Sequence, residues 1–338
     1  MFAGVFEGEG KLSIKEVPEP KLTKPDEVLI KVERAGICGT DIHILEVPPG
    51  HPATPGAILG HEYVGIVQEK GEAVTNVDIG DRVVIDPNLT CGICRYCRRG
   101  LPNMCENFTT LGIYLDGGFA QYNVAPSKAL YKISKDVPVK RAALAEPLSC
   151  VVNAVRKLNL QTGDNVVLIG AGPMGLLFLL MLKAQGAGKI IVLEPTPFRA
   201  KIAKELGASI VLNPKEVDVR EAVLDLTELG ADIVIDAVGS QFETAINLVR
   251  RGGTVILFGM NENAHPQIKQ ILVPRYELKV LGSYISWFSF PQTVAILESG
   301  NVPVEKLVTH EFPIRQLKDG TEIMKRGEGV KILINPQE

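Results

Sequence analysis

The chain has 338 residues, 46% of them hydrophobic and 22% charged, with a net charge of −3 at neutral pH. This length exceeds one comfortable hydrophobic core and makes two domains the expectation for an ordinary globular composition. The slight acidity argues against nucleic acid as the main partner and gives no support for binding to a membrane surface. A secretory leader is not expected, because the first residues carry Glu7 and Glu9 and lack a basic and then an apolar stretch.

Short strands are predicted over 11–17, 27–35, 63–69 and 82–85, rich in β-branched residues and punctuated by Pro18, Pro20, Pro25, Gly36 and Gly80. No helical period of consequence precedes residue 140, so this portion reads as an all-β, barrel-like body. From Arg141 the texture changes. Strands at 165–169, 189–193, 209–212, 232–237, 253–258 and 278–283 alternate with helices at 174–185, 197–206, 218–227 and 242–249. Apolar strands separated by helices indicate a parallel sheet covered on both faces, in the order of two mononucleotide-binding halves. After residue 285 the elements are mixed again, with a helix near 290–299 and a last strand at 330–334. The apolar run 166–182 is short for a membrane span and is broken by Gly170, Gly172, Pro173 and Gly175.

Four of the six cysteines, Cys91, Cys94, Cys97 and Cys105, fall within fifteen residues. Four thiolates so closely spaced can wrap one ion tetrahedrally and organise a loop too small for a core of its own. Zinc fits best, and ligand type alone also admits an iron–sulfur cluster. Such a site is closed and structural. Arg95, Arg98 and Arg99 lie in the same loop and can offset its charge. Cysteines used this way, rather than in disulfides, point to the reducing cytoplasm.

A second constellation joins Cys38 to His61-Glu62, a thiolate, an imidazole and a carboxylate being the donors zinc commonly takes. Glu146 opens the passage from the β-body to the α/β portion, where a cleft is expected. A third is Gly170-Ala171-Gly172-Pro173-Met174-Gly175, set between an apolar strand and an apolar helix. Gly170 permits the turn, Gly172 admits a pyrophosphate, and Gly175 lets the helix pack closely. The helix N-terminus then offers free N–H groups to phosphates. Glu194, about twenty residues on, suits the ribose hydroxyls and favours NAD over NADP, whereas Arg199 is near enough to meet a 2′-phosphate.

Together these residues make the chain resemble the zinc-containing medium-chain alcohol dehydrogenases, in the sorbitol (polyol) dehydrogenase-like branch. Gly60-His61-Glu62-x2-Gly65-x5-Gly71-x2-Val74 matches the family's zinc signature. Gly80-Asp81-Arg82-Val83, the cysteine lobe, Asp116-Gly117-Gly118-Phe119-Ala120, Glu146-Pro147-Leu148 and the glycine-rich loop follow in order. The resemblance implies an α/β protein in which a GroES-like catalytic domain, residues 1–149 and 286–338, carries an inserted Rossmann NAD-binding domain, residues 150–285. It implies a catalytic zinc on Cys38 and His61 with Glu62 or Glu146, a structural zinc on the four cysteines, and a Thr40–ribose–His43 proton relay. It extends the coenzyme contacts to Val238, Gly239, Phe258, Gly259, Met260, Ser283, Tyr284, Ile285 and, less specifically, Lys331. A dimer or tetramer is the family habit.

Polyol oxidation is the expected activity. Ile44, six residues after Cys38, stands where animal-type sorbitol dehydrogenases have tyrosine, and the 38–44 segment looks more like threonine dehydrogenases. Glu146 is not the aspartate those enzymes carry, which leaves L-threonine or a vicinal diol as the alternative substrate. Phe119, Trp287 and Phe288 are candidate pocket aromatics. A dinucleotide-binding protein without chemistry and a zinc-ribbon nucleic-acid binder are the readings from other classes.

Overall fold

The computed structural model describes all residues from Met1 to Glu338. The chain divides into two compact units, Met1–Ser149 with Ser286–Glu338, and Cys150–Ile285.

The first unit opens with a hairpin of β1 (Phe2–Phe6) and β2 (Leu12–Glu16), turned by Gly8 and Gly10 at positive φ. Then come β3 (Glu27–Ile37), the short helix α1 (Gly39–Ile44), β4 (Glu62–Lys70) and β5 (Arg82–Ile85). A two-stranded ribbon of β6 (Asn88–Leu89) and β7 (Thr109–Thr110) flanks the cysteine lobe, and β8 (Tyr122–Pro126) and β9 (Leu130–Lys132) complete the segment. Two helices, α2 (Val139–Ala142) and α3 (Ala145–Val155), lead onward. In β3, Val28, Ile30 and Val32 are buried and alternate with less buried neighbours, the period-two pattern of a half-covered strand.

The second unit is a sheet of β10 (Val166–Ile169), β11 (Ile190–Leu193), β12 (Ile210–Leu212), β13 (Ala231–Asp236), β14 (Val249–Leu257) and β15 (Lys279–Gly282). All neighbours pair in parallel in the order β12-β11-β10-β13-β14-β15, two halves wound outward from β10 and β13 as in a dinucleotide-binding sheet. Its helices are α4 (Pro173–Ala184), α5 (Pro197–Glu205), α6 (Val219–Thr227), α7 (Phe242–Leu248) and α8 (Leu272–Arg275). β10 and β11 are buried at every position, as apolar strands covered on both faces must be. α4 buries every residue from Gly175 to Leu182, and no helix is long and apolar enough to cross a membrane.

The chain returns to the first unit through α9 (Phe290–Ser299), β16 (Val308–Pro313), α10 (Leu317–Lys325) and β17 (Lys331–Asn335). There β16-β17-β3-β4-β5-β9 form one sheet, and β8 pairs with the first half of β3. The last strand of the chain is therefore hydrogen-bonded beside the third.

Several elements differ from expectation for identifiable reasons. α1 was hidden because its six residues are too few to show a period; its start is fixed by Asp41, whose Oδ2 accepts from Cys38 N at 2.8 Å. α7 stops at Leu248 rather than 249, because Val249 pairs with Ala231 across a bulge and begins β14 early. The strand expected over 11–17 is β2, whereas its hairpin partner β1, the short strands β6 to β9, and β16 and α10 have no individual counterpart in the sequence reading.

Inside the first unit, Tyr63 Oη donates to Asn123 Oδ1 at 2.7 Å, and Asn123 Nδ2 donates to Asp116 O at 2.8 Å. Both side chains are buried, so removing the hydroxyl strands an acceptor. Tyr63→Phe is expected to lower the free energy of unfolding by about 1–3 kcal/mol. Denaturant titration measures this, and an unchanged midpoint would show the bond to be dispensable.

Candidate functional site

The cysteine lobe brings the four sulfurs of Cys91, Cys94, Cys97 and Cys105 within 4.8 Å of one another. Cys105 Sγ lies 3.5 Å from Cys91 Sγ and 3.9 Å from Cys94 Sγ. Those separations bracket the roughly 3.8 Å edge of a tetrahedron with metal–sulfur bonds of about 2.3 Å, and all four cysteines are free of disulfides. Backbone N–H groups of Cys91, Cys94 and Asn107 each point at a sulfur at 3.3 Å, which favours thiolate. N–H donors, Ile93 first and Cys94 next, hold Cys91 down to about 6, while Cys97 is pushed up to about 12 by burial and by the sulfurs of Cys94 and Cys105. The four sulfurs thus resist carrying charge together until a cation joins them, and the donor set fits zinc. Arg95 Nε donates to Glu106 at 2.6 Å, and its charge also acts on Cys94.

Cys38, His61 and Glu62 form a second group with one ligand atom from each within 4.8 Å. Local geometry explains the meeting. Cys38 ends β3 and caps α1, and His61-Glu62 open β4, whose register pairs Glu62 with Gly36. On the other side of β3, β17 pairs Leu333 with Gly36, so Lys331 stands two residues away on the same face. A Cβ at Gly36 would collide with Glu62 Oε2. The missing side chain leaves room for Lys331 Nζ to reach Glu62 Oε2 in a buried ion pair and to donate to Ile37 O at 3.1 Å. Lys331, read from sequence as a coenzyme contact, is instead 2% exposed and bound to Glu62.

Asp41, which the sequence reading missed, faces the same group. Its Oδ1 lies 3.7 Å from His61 Nδ1, and neither buried atom has a hydrogen-bond partner. With Nδ1 turned to a carboxylate, Nε2 is the nitrogen left for a metal. Burial pushes the Asp41 carboxyl up to about 6. His61 is raised well above its ordinary value: burial opposes this, but Cys38, Asp41 and Glu146 outweigh it. Lys331 is raised against burial by Glu62, Cys38 and Glu146. Protons are held where negative donors outnumber cations, as expected of residues arranged for a divalent ion. Glu146 stands near enough to act on both cations but outside the three-residue group.

Thr40 Oγ1 lies 3.7 Å from Cys38 Sγ, on the first turn of α1. His43, three residues further, is exposed and meets Glu46 Oε1 at 3.1 Å. Ile44 is fully buried in the core, so the position that separates this chain from animal-type sorbitol dehydrogenases faces no pocket. Phe119 is also core, packed where Gly60 has no side chain. Trp287 Nε1 donates to Gly100 O at 2.6 Å in the cysteine lobe, and Phe288 is exposed.

In the second unit Gly170 turns at φ +95, and a Cβ at Gly175 would strike the Gly170 carbonyl. A Cβ at Gly172 would meet nothing within 4 Å, which leaves open space before the N-terminus of α4, where Pro173 and Met174 begin the helix. These are the three separate tasks a pyrophosphate loop requires. Glu194 is buried, and its oxygens accept from Ala171 N and Thr196 N, each at 2.8 Å. It therefore braces the glycine-rich loop besides ending β11. Arg199 has a buried Nε without a partner. Asp236, also missed from sequence, accepts from Val238 N at 2.9 Å and from Gly239 N and Gln241 N at 2.8 Å, anchoring the loop after β13. That loop abuts the one after β14, since a Cβ at Gly239 would meet Gly259 at 2.6 Å. Phe258 packs edge-on against Phe178, and Val238 and Met260 are exposed. Ser283, Tyr284 and Ile285 follow β15 at the same carboxyl edge.

Comparison with known proteins agrees with this geometry. Residues 24–135 match the alcohol dehydrogenase GroES-like domain, and residues 173–299 match the zinc-binding dehydrogenase domain. The chain is 35% identical to D-arabinitol dehydrogenase 1 of Uromyces fabae, over 99% of this chain and 97% of that protein. It is 35% identical to a sorbitol dehydrogenase of Halalkalibacterium halodurans, over 97% of each. It is 34% identical to an L-threonine 3-dehydrogenase of Caldanaerobacter subterraneus, over 95% of this chain and 94% of that one. A Sinorhizobium meliloti structure described as a zinc-binding dehydrogenase bound to NADP superposes with a TM-score of 0.94 at 32% identity, covering 99% of each chain. An alcohol dehydrogenase from E. coli CFT073 complexed with NADH gives a TM-score of 0.90 at 30% identity, again over 99% of each.

Two outcomes follow from the buried cluster. A metal entering it must displace the proton that His61 holds, and that group is raised above its ordinary value. Metal affinity should therefore rise with pH through and above neutrality, about tenfold per unit for each proton displaced, and fall away in acid. Competition against a chelator at pH 6 and pH 8 measures it, and a flat response would contradict the assignment. Asp41→Asn, which removes the charge facing Nδ1, is expected to weaken that metal by about 10–100-fold while leaving the four-cysteine metal in place. Metal analysis after graded chelation tests this.

Proposed function

Because the chain belongs to the zinc-containing medium-chain alcohol dehydrogenases, in the polyol branch, and these are NAD(P)-dependent oxidoreductases, we propose that it reversibly oxidises a secondary alcohol of a sorbitol-like polyol to a ketone with NAD. The observation that carries the reading is the buried group of Cys38, His61 and Glu62, three protein donors where a closed site would have four. Zinc bound there supplies the Lewis acidity that lowers the pKa of an alcohol. The nicotinamide coenzyme supplies the hydride acceptor.

The chain's own residues do the rest. Cys38, His61 and Glu62 would hold the metal, with Asp41 orienting His61 and Lys331 fixing Glu62 Oε2. Glu146, outside that group, would stand by the open place without filling it. Of the two glutamates, Glu62 is preferred as ligand in this reading because it is the one gathered with Cys38 and His61. Thr40 Oγ1 would accept the alcohol proton while passing its own through the coenzyme ribose to His43, which is exposed on the same helix and can release it to water. Cys91, Cys94, Cys97 and Cys105 hold a second, structural zinc. The loops at Gly170–Gly175, Val238–Gly239 and Phe258–Met260 receive the coenzyme, and the Glu194 carboxylate disfavours a 2′-phosphate. Six free cysteines suit the cytoplasm, and a homodimer or homotetramer is the proposed assembly.

Glu146-Pro147-Leu148 at the start of α3, together with the similarity to D-arabinitol, sorbitol and erythritol/L-threitol dehydrogenases, supports polyols over threonine. The threonine-like segment around Ile44 loses weight because Ile44 lies in the core. The test is a panel of four- to six-carbon polyols, vicinal diols and threonine, each with NAD and NADP. The expected result is at least tenfold higher kcat/KM on a polyol with NAD than on threonine, and loss of turnover when the catalytic zinc is chelated. Turnover persisting with that zinc shown absent would overturn the mechanism, and preference for threonine would overturn the substrate class.

A further inference from the structure

Two unfavourable features meet at the end of β15. Ile285, a β-branched residue, sits at φ +41 in the left-handed region, where such side chains are rarely found. Asn153 on α3 is fully buried, and its Oδ1 has no hydrogen-bond partner. They are in direct contact: Asn153 Nδ2 donates to Ile285 O at 2.7 Å and to Tyr284 O at 3.2 Å. The orientation of the amide is forced, because carbonyl oxygens only accept and the NH2 end must face them. Four residues further along, Lys157 Nζ donates to Gly282 O at 2.9 Å and lies 3.3 Å from Ser283 Oγ. Two side chains thus grip four consecutive residues, all within the Cys150–Ile285 unit.

A strained backbone residue and an unpaired buried acceptor persist only where surroundings over-determine them, and such strain gathers at functional sites. The location is consistent with that. In an open parallel sheet, ligands bind outside the carboxyl ends of the strands, and the gripped segment follows β15 at that edge. Glu194 ends β11 and the pyrophosphate loop follows β10, which puts the adenosine half of a dinucleotide on the β11 side. The other half then extends over β13 to β15. A trans peptide also turns the N–H of Ile285 away from Asn153, since the Tyr284 carbonyl points towards it.

We propose that Asn153, supported by Lys157, is a positioning residue for the coenzyme, holding Gly282–Ile285 in the conformation that receives the nicotinamide end. The inference rests on the coenzyme dependence proposed above. The experiment compares Asn153→Leu, close in size but without donors, and Lys157→Met with the wild type. It reads the NADH dissociation constant by fluorescence titration, KM for NAD and kcat at saturating polyol, zinc content and thermal midpoint. The expected result is NADH affinity weakened about tenfold by Asn153→Leu and severalfold by Lys157→Met, with KM for NAD moving more than kcat and zinc content unchanged. Unchanged coenzyme constants in both variants alongside lowered midpoints would reduce the pair to a structural brace and overturn the proposal. If Asn153→Leu does not fold, Lys157→Met decides by the same measure. A wild type that binds neither NADH nor NADPH would sink the coenzyme reading itself, and the positioning role with it.

Discussion

The buried ion pair between Lys331 and Glu62 is the constraint on which the rest of the candidate centre depends. Two charges withdrawn from water gain little net stability, because desolvation offsets their attraction; removing one partner alone costs about 3–5 kcal/mol, since the other is left uncompensated. A pair of this kind is therefore better explained by what it holds in place than by what it adds to stability. Here it holds a carboxylate at the side of Cys38 and His61. The surrounding acids, Cys38, Glu62, Asp41 and Glu146, outnumber Lys331, and His61 and Lys331 keep their protons in response. The site gathers more acidic donors than cations, and a divalent cation would relieve that imbalance.

The geometry that permits the pair comes from three neighbouring strands. β17, β3 and β4 lie side by side, and one absent side chain, at Gly36, opens the gap between Lys331 and Glu62. Slipping either register by one residue would send Glu62 or Lys331 to the opposite face. Hydrogen-bond registry across the sheet thus fixes the donor set. The C-terminal strand enters the centre only as the neighbour of β3, far from Glu62 in sequence.

This explains which parts were legible from sequence. The four cysteines, the glycine-rich loop and His61-Glu62 are short-range patterns whose spacing alone implies their chemistry, and the alternating strands and helices implied the parallel sheet. Gly36, Asp41 and the true partner of Lys331 were not legible. Their roles arise from register and from an unpredicted six-residue helix, and each residue alone reads as an ordinary glycine, a solvated acid or a strand-end lysine. Ile44 misled for the same reason: its sequence offset from Cys38 suggested the pocket, whereas α1 turns it into the core. Asp236 was missed because a strand-end acid looks solvated until the three N–H groups it accepts are seen.

The two cysteine-containing groups show how the same ligand chemistry is directed to different ends. In the lobe every donor is a cysteine sulfur and N–H groups point at three of them, so a zinc there would be saturated by protein, with four thiolates outweighing its charge. Such an ion organises a loop and has little electrophilicity left. The Cys38 group has one thiolate, one imidazole and one carboxylate, and the carboxylate is already shared with Lys331. A metal held by it keeps more positive charge and a place for another oxygen. The difference in donor number and in neighbouring cations is the physical ground for proposing one site as a staple and the other as a place for chemistry. It also gives Lys331, a charged residue in the interior, a task beside Glu62.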